Sequence, residues 1–328
     1  DVALFTNLSH EHLELHGTFE AYRDAKRSLF ERLAVSAANP SKPDPDWPRC
    51  GIVNANDVAA DVFVAATREA GARVVTYSLN RSRRPADVVS TNNVVMPFEL
   101  GGGVRMAYAT PRAKGEIRSR LIGAFNLANL LAVIALGEAL DLDPEAIRAG
   151  LESVDRIPGR MERVIAGQPF EVIVDYAHTP ASLQGVLNEM RRQAKARRGG
   201  LIVVFGSAGE RDTQKRPDMG QIAGKRCRLV VLTDEDPRGE DRNGILAEIA
   251  VGAIAAGKQR GVDLLEIPDR RAAIRAAFER ARPGDVVLLA GKGHESTILY
   301  ADHAMPWDEA AEALAALAEL GYSGLGPG

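Results

Sequence analysis

Residues 170–212 read FEVIVDYAHTPASLQGVLNEMRRQAKARRGGLIVVFGSAGERD. Two short β-branched runs, FEVIVDY and LIVVFG, bracket a segment in which Leu183, Val186, Leu187, Met190 and Ala194 share one face at helical spacing. The alternation continues with RPDMGQIAGKR, then RLVVLTD before NGILAEIAVGAIAAG, VDLLEIP before DRRAAIRAAFERA, and DVVLLAG before a closing loop. Short apolar strands alternating with helices predict an α/β fold with a doubly wound parallel sheet. Ligands of such sheets sit beyond the carboxyl ends of the strands, which singles out four loops: DYAHTP, FGSAGERD, TDEDPRGED and AGKGHES.

Working back toward the amino end, the Pro-Gly turn in DRIPGRMERV sets the expected boundary between a first domain, 1–158, and a second, 159–328. The first domain opens with strand VALFTNLS and a helix over TFEAYRDAKRSLFERLAV, where Phe19, Tyr22, Lys26, Leu29, Phe30 and Leu33 recur at helical spacing. NPSKPDPDWP is a proline-rich loop; CGIVNA and ARVVTYS are strands flanking helical DVAADVFVAATREAG. A β-rich patch over 88–120 precedes the apolar helix AFNLANLLAVIALGEAL, and Asp143, Pro144 and Glu145 supply the N-cap and first two positions of the next helix.

A formal net charge of -3 on 328 residues argues against a nucleic-acid or anionic-membrane partner. No run of 18 apolar residues occurs, so no membrane insertion is expected. Cys50 and Cys227, without CxxC spacing, fit a reduced cytoplasmic setting in which both are inert.

Glycine-rich FGSAGERD either holds phosphate on backbone N–H groups or is a plain tight turn, and it lacks G-x-G-x-x-G. AGKGHES lacks the G-x-x-x-x-G-K-[ST] pattern, and Lys292 and His294 taken singly read as polar loop residues. Five of the nine residues of TDEDPRGED are acidic. Such clusters are usually solvated, but Arg211 and Arg238 set against carboxylates can grip both ends of a zwitterion, which describes an amino acid. His10, His12 and His16 with Glu11 and Glu14 form either a polar turn or a set of metal ligands. Lys26, four residues from both Tyr22 and Phe30, either snorkels to water or is buried with a lowered pKa. A buried neutral amine would take up carbon dioxide as a carbamate, a long-armed carboxylate suited to Mg²⁺. On one straight helix His12 and Lys26 would stand about 21 Å apart, so sharing an ion requires a break at Gly17-Thr18.

Together TNLSHEHLELHGTFEAYRDAKRSLF, LIGAFNLANLLAVIALG, IPGRMERV, VDYAHTPASL, FGSAGERDTQKRPDMG, TDEDPRGED and AGKGHES, in this order, resemble the Mur ligase family. The similarity is strongest to the branch that adds the third residue of the peptidoglycan stem peptide. The resemblance implies a fold: part of a central ATPase-type α/β domain, then a Rossmann-like doubly wound C-terminal ligase domain. It implies a cytoplasmic ligase using ATP and Mg²⁺; the sequence leaves the oligomeric state open, with a monomer favoured. ATP would phosphorylate a carboxylate of UDP-N-acetylmuramoyl-L-alanyl-D-glutamate, and the amine of a free diamino acid would attack the acyl phosphate. That diamino acid is L-lysine, L-ornithine or meso-diaminopimelate.

The same resemblance implies a catalytic, magnesium-holding pair of carbamylated Lys26 and His12. It implies adenine-side asparagines at Asn126 and Asn129, with Asn129 the better match, and further ATP contacts at Arg160, Asp175 and His178. Amino-acid contacts fall on Arg211, Glu235, Asp236, Pro237, Arg238, Gly291 and Glu295. Arg211 and Arg238 would bind carboxylate, while Asp236 and Glu295 would receive ammonium groups.

Departures bear on this expectation. Glu-Asp-Pro-Arg stands where the family has Asp-Asn-Pro-Arg, and the extra charge of Asp236 would favour a bare distal amine over a distal carboxylate, while Arg238 pulls the other way. Glu11-His12 replaces Asp-His, and GSAGERD replaces GCGGDRD. The family's uridine-nucleotide domain and GTNGKT phosphate loop are expected before Asp1, so the chain by itself is expected to be inactive. Folylpolyglutamate and cyanophycin synthetases share both domains, but DPR with GKGHE favours the peptidoglycan branch. A nicotinamide-dependent dehydrogenase needs a G-x-G-x-x-G after its first strand, and a non-catalytic binding fragment is the third alternative.

Overall fold

The computed structural model describes residues 1–8, 16–36, 47–79 and 85–324. The chain divides into two compact units, Asp1–Asp155 and Arg156–Gly328.

In the first unit β1 (Val2–Phe5), β2 (Cys50–Asn54), β3 (Arg73–Ser78) and β4 (Val88–Val95) run parallel in that order. The sheet continues antiparallel through β5 (Val104–Ala109) and β6 (Lys114–Ser119). Strand alternation decides which helices cover which face. Ala3, Phe5 and Val53 cluster with Phe30 of α1 (Phe19–Glu31) and Phe63 of α2 (Ala60–Glu69). Phe63 stacks on Phe5 at 3.8 Å between centroids and meets Phe30 edge-on at 5.1 Å. Ile52, Val75 and Tyr77 cluster instead with Leu127 and Leu131 of the apolar helix α3 (Phe125–Ala139). The following helix, α4 (Pro144–Glu152), is capped by Asp143, which accepts from Ala146 N–H at 3.1 Å.

Helix α1 starts where the sequence breaks. Gly17 adopts φ +75°, and extended Thr18 accepts from Ala21 N–H at 3.1 Å, a cap worth about 1 kcal/mol. Its expected apolar stripe is only partly used: Tyr22, Phe30 and Leu33 are buried, but Lys26 and Leu29 are exposed.

The second unit is built on β7 (Glu162–Val164), β8 (Glu171–Asp175), β9 (Leu201–Phe205), β10 (Leu229–Leu232), β11 (Leu264–Glu266) and β12 (Val286–Ala290). They lie in the order β11-β10-β9-β12-β8-β7, and β7 alone of these pairs antiparallel. Every residue of β8, β9, β10 and β12 is buried, as a parallel sheet covered on both faces requires. The chain returns through α5 (Pro180–Ala196), α6 (Lys215–Gly224), α7 (Arg242–Ala255) and α8 (Arg270–Glu279). Helix α5 opens on a capping box between Thr179 and Ser182 with Pro180 at N1, and Leu183, Val186, Leu187, Met190 and Ala194 are all buried.

The expected closing loop is corrected: it contains an antiparallel hairpin, β13 (Thr297–Leu299) with β14 (Ala304–Pro306), and then α9 (Glu309–Glu319). Strands of three residues with a single buried side chain, Ile298, leave little period-two signal. The cluster on one sheet face holds Val172, Val204, Val231 and Leu289 against Ile274 and Phe278 of α8 and Leu317 of α9.

Among the described residues no helix is long and apolar enough to cross a membrane. Both cysteines are buried and free; burial raises the Cys50 thiol above its ordinary range and pushes Cys227 up to about 12, so neither supplies thiolate near neutrality.

Candidate functional site

The strand order β10-β9-β12-β8 makes neighbours of four carboxyl ends that are scattered in sequence. The loops after β9 and β10 touch through their backbones, since Gly209 N–H donates to Asp236 O at 2.8 Å. A Cβ on Gly209 would lie 2.1 Å from Pro237 O, so the glycine is what allows the contact. Gly291, after β12, sits at φ +103°, and a Cβ there would come within 2.9 Å of Glu235 Oε2.

Lys292 forms the charge centre. Its side chain is wholly buried, and Nζ lies 2.7 Å from Asp236 Oδ1 and 2.6 Å from Glu295 Oε2. Leu299 N–H also donates to Asp236 Oδ1, at 3.0 Å, and Tyr176 O–H donates to Glu295 Oε1 at 3.2 Å. One expectation changes here: Lys292 is not just a polar loop residue but a buried tie between two loops. Asp236 carries an added charge that Lys292 meets, but the same ammonium also meets Glu295, so one lysine against two carboxylates leaves the cluster net negative.

The first half of the acidic loop is not a solvated face, because residues 233–237 are buried, whereas Gly239 and Asp241 are exposed. Within it Glu235 Oε2 is buried with no hydrogen-bond partner. Arg238 Nε, in the same loop, and Ser207 Oγ, in the loop after β9, are buried and unpartnered as well. Buried polar groups are ordinarily satisfied, so an acceptor, a guanidinium N–H and a hydroxyl without partners at adjacent strand ends single out these loops as the candidate site. Arg238 holds φ +52°, a left-handed backbone that non-glycine residues avoid, and its N–H donates to Leu299 O at 2.9 Å.

Burial raises the Glu235 carboxyl above its ordinary range, opposed by Lys215 and His178. A raised folded pKa means the unfolded chain ionises first as pH rises, which costs stability at neutral pH and nothing below the unfolded value near 4.3. Glu235→Gln is therefore expected to raise the melting temperature at pH 7, with the gain vanishing by about pH 4. Thermal melts across that range check it; a loss of stability at pH 7 contradicts it.

The loops rest on a buried pair. Arg270 and Glu309 are both inaccessible, and Arg270 Nη2 donates to Glu309 Oε1 at 2.6 Å. The same guanidinium donates to Asp234 O at 2.9 Å and Ala290 O at 2.8 Å, carbonyls at the ends of the β10 and β12 segments. Trp307 Nε1–H donates to Glu309 Oε2 at 2.5 Å.

The other expected site residues fall as follows. Asp175 is buried and spent on bracing: Met161 N–H and Ala177 N–H each donate to it at 2.9 Å, while burial raises its carboxyl above the usual range. Exposed Arg160 lies over the Tyr176 ring, 4.5 Å from the centroid. His178 Nδ1 lies 2.9 Å from Tyr176 O, and Lys215 Nζ donates to His178 O at 2.9 Å. Arg211 is exposed on the loop after β9, close in sequence to fully buried Arg216, which is held by Glu240 at 2.8 Å and Glu248 at 2.9 Å. Arg216 holds the Glu240 carboxyl down at about 2.

In the first unit, buried Asn126 donates through Nδ2 to Ile122 O at 2.8 Å, and its Oδ1 accepts from Asn129 Nδ2 at 3.0 Å. Asn126 is thus committed internally and orients Asn129. Lys26 is exposed, with Nζ 4.9 Å from the centroid of the Tyr22 ring. His12 lies outside the described residues, as do His10, Glu11 and Glu14.

Sequence reasoning did not name Ser207, Tyr176 or Arg270, and it read Lys292 only as a polar loop residue. The one available signal was at Lys292, a cation between two glycines after a fully apolar strand.

Two family models match, the Mur ligase middle domain over 1–137 and the Mur ligase glutamate ligase domain over 159–293. The UDP-N-acetylmuramyl-tripeptide synthetase of Roseiflexus sp. (strain RS-1) is 48% identical over 99% of this chain and 61% of its own length. The UDP-N-acetylmuramoyl-L-alanyl-D-glutamate--2,6-diaminopimelate ligase of Geobacillus kaustophilus is 38% identical over 98% of this chain and 61% of its own length. A solved structure of a ligase with that second name is 31% identical, with a TM-score of 0.59 over 98% of this chain and 61% of that one. MurF from Acinetobacter baumannii, 18% identical with a TM-score of 0.64 over 88% of this chain and 56% of its own, shares the fold. The chain spans about three fifths of the length of these relatives. With both models matched in order, and relatives of one kind aligned along nearly all of it, the chain belongs to the Mur ligase family and carries its middle and C-terminal domains.

Proposed function

We propose that this chain belongs to an ATP-dependent ligase that joins a diamino acid to UDP-N-acetylmuramoyl-L-alanyl-D-glutamate through an acyl phosphate, and that its second unit binds the diamino acid. The observation that carries this is the set of open polar atoms, Glu235 Oε2, Arg238 Nε and Ser207 Oγ, at strand ends adjoining the Lys292 ion cluster. Their mixed sign suits a zwitterion and gives a nicotinamide or a plain phosphate little to hold.

In this account Arg211 and Arg238 take carboxylate. Glu235 and the part of Glu295 that reaches water take ammonium, and Asp236 acts by holding Lys292. Pro237 and Gly291 shape the loop. Holding the amine in line with the acyl carbon is where the protein gains rate. Asn129 would face adenine with Asn126 orienting it, and Arg160, Asp175 and His178 would serve ATP. Magnesium would neutralise the phosphates, with carbamylated Lys26 and His12 to hold it. Lys26 is exposed within its own unit, so burial there does not account for a reactive amine.

The cluster of Lys292 with Asp236 and Glu295 keeps a net negative charge, which favours a bare distal amine, while Arg238 provides for a distal carboxylate. Both L-lysine and meso-diaminopimelate therefore remain within the proposal. The test is an assay of the whole protein with ATP, Mg²⁺ and the UDP-linked dipeptide, adding L-lysine, L-ornithine, meso-diaminopimelate or L-glutamate in turn. ADP release and a new amide that depend on a diamino acid are expected. Turnover with L-glutamate alone would move the chain to the folylpolyglutamate-like branch.

A further inference from the structure

The hairpin after β12 grips the acidic loop at three points. Leu299 N–H donates to Asp236 Oδ1 at 3.0 Å, Leu299 O accepts from Arg238 N–H at 2.9 Å, and Tyr300 O–H donates to Asp234 Oδ2 at 3.2 Å. Arg238 and Tyr300 form an isolated parallel bridge, so β13 extends onto the loop as a strand would. The grip is reinforced from α7: Arg242 pairs with Asp234 and places its guanidinium 5.6 Å from the centre of the Tyr300 ring. The hairpin is itself fixed, by fully buried Ile298 in the sheet core and by Trp307 N–H donating to Ser296 O at 2.9 Å.

Two consequences follow for the chemistry. The hairpin begins two residues after Glu295, so a single covalent element links the loop of Lys292 and Glu295 to the loop of Glu235, Asp236 and Arg238. The left-handed backbone at Arg238 also needs something to hold it, and the bond to Leu299 O is what the structure supplies.

We propose that the β13–β14 hairpin sets the register of the amino-acid-reading loop, and that Tyr300, acting through Asp234, is a positioning residue for the incoming amino acid. This rests on the second unit binding a diamino acid. Tyr300 does not touch substrate in this account; it fixes where Glu235 and Arg238 present their open atoms. In the turn of the hairpin, exposed His303 pairs with Asp302 and stacks on Tyr300.

The experiment is steady-state kinetics of the whole protein with Tyr300→Phe, Asp234→Asn and His303→Ala. Removing the Tyr300 hydroxyl takes one bond from a carboxylate, so KM for the diamino acid is expected to rise about tenfold while KM for ATP and the melting temperature stay near wild type. Asp234→Asn, which also loses the charge paired with Arg242, should move the same KM in the same direction, and it serves as the test if Tyr300→Phe does not fold. His303→Ala should leave KM unchanged. A wild-type KM in Tyr300→Phe overturns the inference, as does an equal rise of both KM values, or a rise in His303→Ala matching that in Tyr300→Phe. If the wild-type protein turns over no diamino acid at all, the functional proposal fails instead, and the two failures are told apart.

Discussion

Replacing Lys292 by methionine is expected to lower the unfolding free energy by about 3 kcal/mol, as removing one partner of a buried ion pair does. Methionine fills nearly the same space, so the loss reports charge rather than volume. Lys292 is wholly buried, Asp236 is 13% exposed and Glu295 is 33% exposed. Without the ammonium, two carboxylates face the same small space. Glu295 can turn toward water, which places the cost at the low end of the usual range. A charge account makes a further demand: adding Asp236→Asn to Lys292→Met should recover about half of the loss, because the amide still accepts from Leu299 N–H and brings no stranded charge. Urea denaturation of the two single variants and the double variant gives the coupling. Strictly additive losses would mean that Lys292 matters only for packing.

A comparable loss is expected at the other buried pair. Glu309→Gln strands the Arg270 guanidinium in a site with no access to water, a cost of about 3–5 kcal/mol. Trp307 Nε1–H loses its carboxylate at the same time. Arg270→Met should cost a similar amount by a different route. It strands Glu309 and leaves Asp234 O and Ala290 O without the donor they share. Those carbonyls lead into the two loops that carry Glu235, Asp236 and Lys292, so Arg270→Met should also weaken diamino-acid binding in protein that remains folded. The double variant with Arg270→Met and Glu309→Leu, which leaves no stranded charge, should be more stable than either single variant yet bind no better than Arg270→Met. Denaturation midpoints and calorimetric titration separate the two effects. Recovered binding in the double variant would show that Arg270 does not hold the loops.

The second unit was largely legible because parallel strands covered on both faces are written as unbroken apolar runs, and FEVIVDY, LIVVFG, RLVVLTD and DVVLLAG all appear as buried strands. The rule that ligands sit beyond strand ends then selected the loops that do adjoin one another. The order of the strands was not legible. The insertion of β12 between β9 and β8 is what brings AGKGHES beside the other loops, and it comes from pairing across long stretches of chain. The same distance hid the burial of Lys292, whose partner Asp236 lies 56 residues away. Helical periodicity put Lys26 on an apolar row between Tyr22 and Phe30, but periodicity cannot say how far a contact extends along a row, and the middle of this one is exposed. The hairpin escaped because each of its strands offers three residues and one buried side chain between them.

The central claim is that the neighbouring ends of β8, β12, β9 and β10 form one amino-acid site. Titration of the isotopically labelled chain with L-lysine and with meso-diaminopimelate, followed by backbone amide NMR shifts, tests it most directly. The account predicts saturable shifts concentrated in residues 176–178, 206–211, 235–239 and 291–295 for at least one of the two ligands. Saturable shifts centred elsewhere, with these four loops unmoved, would contradict it.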